Sequence, residues 1–107
     1  MLSSLRPFHL AFPVKNLIDT KDWYTRVLGC SIGRESNTWV DFNFFGHQIV
    51  AHLSNHSYIK ESSYVDGESV PIRHFGIILT SEEWNKLKKK LIIEEIDFLI
   101  KPTTRFK

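Results

Sequence analysis

The stretch WVDFNFFGHQIVAHL, residues 39–53, decides the fold of this chain. Its first half alternates large apolar side chains with others, the pattern of a strand with one buried face, and the apolar positions are Val40, Phe42 and Phe44. Gly46 makes a turn, and HQIVAHL (47–53) is the next strand. The stretch therefore predicts a β-hairpin. Because neighbouring side chains of a strand point to opposite faces, His47 and His52 cannot share one.

Three further elements precede this hairpin. PFHLAFPV (7–14) is typical of an apolar strand, and SIGRES (31–36) is typical of a short polar one. Between them, Asn16 is a candidate helix N-cap, and Gly29 is a natural stop after an approximate helical stripe of apolar residues. The first half is therefore expected to run strand, helix, strand, strand, strand.

The second half begins the same order again. Residues 54–70 are polar and carry turn signals, so we interpret them as a linker loop. PIRHFGIIL (71–79) predicts a strand, and a helix capped by Thr80 or Ser81 follows as far as the paired glutamates at 94 and 95. Ser81 has Trp84 three positions on, so a capping box that starts there is imperfect. IDFLIK (96–101) predicts a last strand.

Composition excludes several classes of function. The chain has 107 residues, 42% of them hydrophobic, and a formal net charge of +2, which indicates a single globular domain. The lysines of KLKKK (86–90) fit the solvent-exposed face of a helix, so we expect no nucleic-acid partner. Cys30 is the only cysteine, which favours a reducing compartment. No apolar run suits a signal peptide or a membrane span, so we expect a cytoplasmic protein without a membrane partner.

Histidines mark the two predicted first strands. His9 and His74 each begin the pattern His, bulky apolar, small, bulky apolar, and each shares a strand face with a small residue rather than with the bulky ones. In the hairpin, alternation alone does not choose between His47 and His52. One histidine on a strand is more often structural than a ligand. Three histidines at matching strand positions make metal binding as good an interpretation as a structural role, because neutral imidazole is the commonest ligand for divalent transition metals.

The strand order, the FHLAFPV opening, the run at 39–53 and the RHFGIIL restart together resemble the vicinal oxygen chelate superfamily. This group includes glyoxalase I, extradiol dioxygenases and bleomycin-resistance-type proteins, and the small single-domain dioxygenase-like members are the most similar. The resemblance implies an α+β fold in which paired βαβββ modules form a cupped mixed sheet. The chain would be one domain, residues 1–107, with module one at about 6–54, a linker at about 55–69 and a partial module two at about 70–107.

The resemblance also implies a site. Metal ligands in this superfamily come from the first and last strands of each module, which corresponds here to His9, His52 and His74. His47 is then expected near the turn on the outer face. The implied cofactor is a divalent metal ion such as Fe²⁺, Mn²⁺, Zn²⁺ or Ni²⁺. Candidate wall residues of a substrate pocket are Trp39, Asp41 and Asn43. Trp39 is equally suited to capping the sheet edge, and Asp41 is better suited to being a solvated strand residue than a catalytic one.

The family's fourth ligand, usually a glutamate on the last strand of module two, has no counterpart. The matching position would fall beyond Lys107, and neither glutamate at 94–95 takes its place. The sequence favours a C-terminally truncated version of a longer protein over a cup that a partner chain completes. An incomplete sheet leaves an unpaired edge, which makes a homodimer plausible.

Three functions remain open at this stage. The first is a metal-dependent enzyme that chelates neighbouring oxygens of a small substrate, and the histidine-rich ligand set favours the extradiol-dioxygenase-like side. The second is a metal-free, bleomycin-resistance-like module that binds a small ligand. The third is an inactive remnant of the fold. The sequence does not identify the substrate.

Overall fold

The quoted hairpin lies at the centre of a mixed sheet. The structure, a computed structural model, describes residues 5–55, 62–65, 67–71 and 73–103. The first four strands are β1 (His9–Val14), β2 (Ser31–Glu35), β3 (Trp39–Phe44) and β4 (His47–Leu53). They lie in the order β1-β4-β3-β2, with β1 parallel to β4 and the other neighbours antiparallel. The sequence predicted each of these strands to within about two residues.

A tight turn sets the register of the hairpin. Phe45 and Gly46 both have positive φ, 52° and 89°, which is the conformation of a two-residue type I′ turn. The side-chain oxygen of Asn43 accepts a hydrogen bond from the Gly46 N–H at 2.8 Å. Phe44 is therefore opposite His47, and the register continues to Trp39 opposite His52. The twist of such a turn matches that of the strands it joins.

The helix of the first half is helix α1 (Leu17–Asp22), which continues into a π-helical turn, Trp23–Val27. Asn16 is the N-cap, as predicted, and its side chain accepts a hydrogen bond from the backbone N–H of Asp19 at 2.9 Å. Gly29, at φ 74°, reverses the chain directly after the helix, also as predicted. The wider π-turn was not predicted, because the apolar spacing in this segment is only approximately helical.

The core lies between this helix and one face of the sheet, which we call the helix face. The Tyr24 ring is stacked on Phe42 at 4.9 Å and lies 5.8 Å from Phe12. Five side chains of the helix face are buried, and they are Val40, Phe42, Phe44, Ile49 and Ala51. Each fully buried side chain of valine size or larger contributes roughly 1.5–3 kcal/mol. Val27 and Cys30 complete the packing from the helix side.

The chain divides into two compact units, Met1–His56 and Ser57–Lys107. In the second, β5 (Ser62–Val65) pairs antiparallel with β6 (Glu68–Pro71) through a turn at Gly67, and helix α2 (Ser81–Ile93) follows. Thr80 is the N-cap of α2 and forms a complete capping box with Glu83. Of the two predicted N-cap residues, Thr80 and Ser81, Thr80 is therefore the actual N-cap. The described residues thus form an α+β fold with a four-stranded mixed sheet, two α-helices and a second small sheet.

Three predictions for the second half were wrong. The supposed linker loop at 54–70 contains β5 and most of β6. The predicted strands at 71–79 and 96–101 are not strands: beyond Pro71, the described residues of both segments adopt bends or irregular backbone. The physical reason is that apolar alternation creates a face but not a partner, and a strand exists only where a ladder forms.

No helix among the described residues is both long enough and apolar enough to cross a bilayer.

Candidate functional site

The sheet face opposite the helix carries the histidines, and we call it the histidine face. Its side chains come from β1, β3 and β4, and they are His9, Ala11, Pro13, Trp39, Asp41, Asn43, Gln48, Val50 and His52. In β1, the side chains of this face are exposed while those of the helix face are half-buried, as the alternation predicted. His9 and His52 therefore project from the same side of the same sheet.

The register separates these two histidines along the strands. His9 is the neighbour of Gln48, whereas His52 is the neighbour of Pro13. The offset is four residues of strand, about 13 Å at 3.3 Å per residue. The resemblance implied that both residues face the same side, and the register agrees, but they occupy opposite ends of that face.

His9 is held by a hydrogen bond to the adjacent strand. Its Nδ1 lies 2.9 Å from Oε1 of Gln48, and Nε2 of the same glutamine donates to Oδ2 of Asp41 at 3.2 Å. Polar side chains of β1, β4 and β3 are thus connected across the face. Gln48 was not among the predicted site residues, although its place on the same strand face as His52 was a signal that could have identified it.

A second cluster lies at the His52 end of the face. Trp39 is directly opposite His52 in the hairpin, and Cζ of Arg34 lies 5.8 Å from the centre of the Trp39 ring, within cation–π range. Among the described residues, His52 forms no side-chain hydrogen bond.

A β-bulge in β2 determines which charge faces the histidine side. The register shifts between Ile32 and Glu35, so that Glu35 pairs with buried Val40 and its carboxylate contacts Nζ of Lys21 on α1 at 3.0 Å. Without the extra residue, alternation from Ile32 would direct Glu35 to the histidine face. The bulge therefore places the cation Arg34 there instead. Sequence alternation missed this residue; a glycine inside a strand, Gly33, was the available signal.

The remaining predicted positions differ in their surroundings. The side-chain oxygen of Asn43 is engaged in the β3–β4 turn. His47 points to the helix side near that turn, where its Nδ1 accepts a hydrogen bond from the backbone N–H of Phe8 at 3.0 Å and its ring contacts the Phe8 ring edge-on. His74 belongs to the second unit, where its Nδ1 lies 2.6 Å from the carbonyl oxygen of Pro71. No group of three or more His, Cys, Asp or Glu side chains in the described ranges is arranged as a metal site.

Burial changes the acidity of two groups beneath the sheet. Burial, followed by the nearby thiol of Cys30, raises the pKa of the Tyr24 hydroxyl to about 12. Burial also raises the pKa of the Cys30 thiol. Both groups lie on the helix side, so they form part of the packing and not of the histidine face.

Comparisons with known proteins identify the class to which this fold belongs. The chain is 31% identical to a glyoxalase/bleomycin resistance protein/dioxygenase from Alicyclobacillus acidocaldarius, with a TM-score of 0.79 over 100% of this chain and 76% of that one. The chain belongs to the glyoxalase/bleomycin resistance protein/dioxygenase family. The resemblance seen in the sequence is thereby confirmed.

More distant structures share the fold alone. An integron cassette protein from the Halifax Harbour sewage outfall metagenome is 22% identical, with a TM-score of 0.63 over 83% of this chain and 70% of that one. A virulence protein from Salmonella typhimurium is 20% identical, with a TM-score of 0.63 over 100% of this chain and 81% of that one. No family model matches the sequence, and no curated protein matches it either.

Proposed function

We propose that the protein is a metal-dependent enzyme of the extradiol-dioxygenase-like type, acting on a small substrate that offers two neighbouring oxygens. Membership of the family, which includes such enzymes, supports the general class. The observation that carries the finer proposal is the state of two of the three histidines predicted as ligands. Each of them, His9 and His74, has Nδ1 within hydrogen-bond distance of an oxygen.

This hydrogen bond suits a metal ligand. A ligating histidine almost always donates its second ring N–H to an oxygen acceptor, which orients the ring and leaves the other nitrogen for the metal. His9 has the Gln48 amide oxygen as its acceptor, and His74 has the Pro71 carbonyl. In both residues Nε2 is the nitrogen available to an ion. These two histidines fit the expected group in their own chemistry.

His52 is a weak candidate for the ion that His9 would bind. An imidazole nitrogen binds a divalent metal at about 2.0–2.1 Å. Roughly 13 Å of strand between His9 and His52 is at the limit of what two such side chains can bridge. We therefore assign His52, with Trp39 opposite it, to substrate binding, and we keep the metal-ligand role for His9 and, in the second unit, for His74.

When bound, the metal would polarise the two chelated oxygens as a Lewis acid. The contribution of the chain is to bind and orient the substrate. The Trp39 ring supplies a flat apolar surface for an aromatic or planar group. Arg34, which lies beside it, adds a positive charge that would stabilise an anionic substrate. Asn43, already engaged in the turn, would form at most the margin of this wall.

The test is metal stoichiometry and affinity on the full 107-residue chain, measured by calorimetry with Zn²⁺ and then with Fe²⁺ under anaerobic conditions. We expect one ion per chain or per pair of chains, lost in a His9→Ala/His74→Ala double variant. The matched control is His47→Ala, which removes a histidine from the helix face and should keep metal binding. If the metal binds, catechols under oxygen are the substrates to assay first.

A folded protein that binds none of these ions would contradict the proposal. Binding of a small planar ligand without metal would then favour the bleomycin-resistance-like alternative.

A further inference from the structure

Asp41, Gln48 and His9 form a hydrogen-bonded chain across three neighbouring strands. Gln48 is paired with His9 on β1 and with Asn43 on β3. Asp41 is two residues before Asn43 on β3, so it is a diagonal neighbour of Gln48 on the same face. Diagonal neighbours on one sheet face are within reach of a long side chain. The side chain of Gln48 spans both gaps, with 2.9 Å to His9 and 3.2 Å to Asp41.

The direction of every hydrogen bond in this chain follows from its acidic end. An ionised carboxylate only accepts, so the Gln48 group that faces Asp41 must be its NH₂. The amide oxygen of Gln48 therefore faces His9. Because that oxygen can only accept, Nδ1 of His9 must carry the proton and donate it.

We infer that Asp41 and Gln48 are positioning residues that hold neutral His9 in the Nδ1–H tautomer, with the lone pair of Nε2 directed away from the sheet. The tautomer of a histidine is set by the hydrogen bond that its other nitrogen makes. Neither residue needs to touch a metal or a substrate for this role. The role of that lone pair as a metal ligand rests on the proposed function. The assignment of the tautomer rests only on the hydrogen bonds of His9 and Gln48.

His47 provides an internal contrast. Its Nδ1 accepts a hydrogen bond from the Phe8 N–H, so neutral His47 must carry its proton on Nε2. Two histidines at the same end of the sheet are thus held in opposite tautomers by their partners. The difference matches their faces, since His47 packs on the helix side and His9 lies on the histidine face.

The experiment is a long-range ¹H–¹⁵N correlation spectrum of the uniformly ¹⁵N-labelled full chain, recorded at about pH 8, where an unperturbed imidazole is neutral. The shifts of the ring nitrogens distinguish a protonated nitrogen from one with a lone pair. We expect His9 to be protonated at Nδ1 and His47 at Nε2. In Gln48→Leu and in Asp41→Ala, His9 should lose this preference. In Gln48→Glu, which keeps an acceptor oxygen, His9 should retain it.

Asp22→Ala is the matched control, because it removes an exposed carboxylate of the same unit that pairs with Arg26. It should leave the His9 signals unchanged. The same variants are titrated with Zn²⁺, and Gln48→Leu should weaken binding by about 10-fold or more, the usual effect of losing a group that orients a ligand.

His9 protonated at Nε2 in the native protein, or a tautomer that does not change in Gln48→Leu and Asp41→Ala, would overturn the inference. The predicted tautomers together with no zinc binding would leave the inference standing and contradict the proposed function instead.

Discussion

His9 and His52 project from the same face of one sheet but are four register positions apart, so that His9 adjoins Gln48 and His52 adjoins Pro13 and Trp39. This relationship divides the histidine face into a polar end, where His9 is hydrogen-bonded, and an aromatic end, where Arg34 and Trp39 lie. In the proposed function, the polar end would bind the ion and the aromatic end the flat part of a ligand.

The separation predicts unequal effects of removing each histidine. His9→Ala should reduce Zn²⁺ affinity at least 10-fold, because it removes a ligand nitrogen, whereas His52→Ala should change it by less than about 3-fold. Trp39→Leu should likewise spare zinc and weaken the binding of a planar anion such as benzoate. Calorimetry with each ligand measures both effects. Equal losses of zinc affinity in His9→Ala and His52→Ala would show that the two side chains converge after all.

The β3–β4 turn depends on one glycine. Gly46 has φ 89°, and an added Cβ would meet nothing within 4 Å, so the cost of Gly46→Ala comes from the backbone alone. We expect a loss of about 1–2 kcal/mol of unfolding free energy. Gly33→Ala in the same sheet is the control: Gly33 has no positive φ, and its added Cβ would make an ordinary contact with Asp41, 3.5 Å away. Urea denaturation should show no loss of stability for Gly33→Ala.

Local signals explain what the sequence predicted correctly. Alternation in residues 39–53 and the caps at Asn16 and Gly29 are properties of a few neighbouring residues, and those elements appear where they were expected. The segment 71–79 shows the limit of such signals. It carries the same alternation, yet beyond Pro71 its described residues form no strand, because a strand also requires a partner.

The site followed the same rule. The resemblance, and not alternation, selected His52 as the histidine that shares a face with His9, and the pairing of β1 with β4 agrees. Neither signal could determine that four residues of strand separate them, because the offset between β1 and β4 is set by long-range pairing. The bulge that turns Arg34 towards the same face, and the Gln48 link to Asp41, depend on that pairing as well.

Tyr24 predicts a loss of stability at alkaline pH. Burial, with the nearby Cys30 as a smaller cause, raises the pKa of its hydroxyl to about 12 in the folded state, against a usual value near 10. The stability linked to the neutral hydroxyl is therefore complete below about pH 10 and is lost as the pH rises through 12. Tyr24→Phe should flatten this part of the profile. Urea midpoints between pH 9 and 12 provide the test, and similar midpoints for both proteins at neutral pH provide the control.

The capping box of α2 predicts an acid-sensitive helix. Hydrogen bonds from the backbone N–H and then the hydroxyl of Thr80 lower the pKa of Glu83. The linked stability is present above the usual glutamate range and is lost as the pH falls through the lowered value. Glu83→Gln should flatten this acid transition, and Thr80→Ala should cost about 1 kcal/mol at neutral pH. The control is Glu82→Gln, which lies in the same turn but outside the box. Amide hydrogen exchange along α2 measures the effect in each variant.

Just beyond the C-terminal end of α2 lies a residue whose replacement should stabilise the protein. Glu95 has φ 57°, and the helix closes around it: its N–H donates to the Ile92 carbonyl, and the Ile96 N–H donates to the Leu91 carbonyl. This left-handed position usually holds glycine, because a side chain there costs roughly 1–2 kcal/mol. Glycine itself loses about 0.5–1 kcal/mol through chain entropy, so Glu95→Gly should gain about 0.5–1 kcal/mol.

Glu95→Ala separates the two explanations for such a gain. Alanine removes the carboxylate from the negative end of the helix dipole but keeps the strained backbone conformation. If backbone strain is the cause, Glu95→Ala should gain little stability, and only Glu95→Gly should raise the thermal midpoint of unfolding. Far-ultraviolet circular dichroism measures that midpoint through the loss of helix. Equal gains in both variants would assign the effect to charge and contradict the argument from φ.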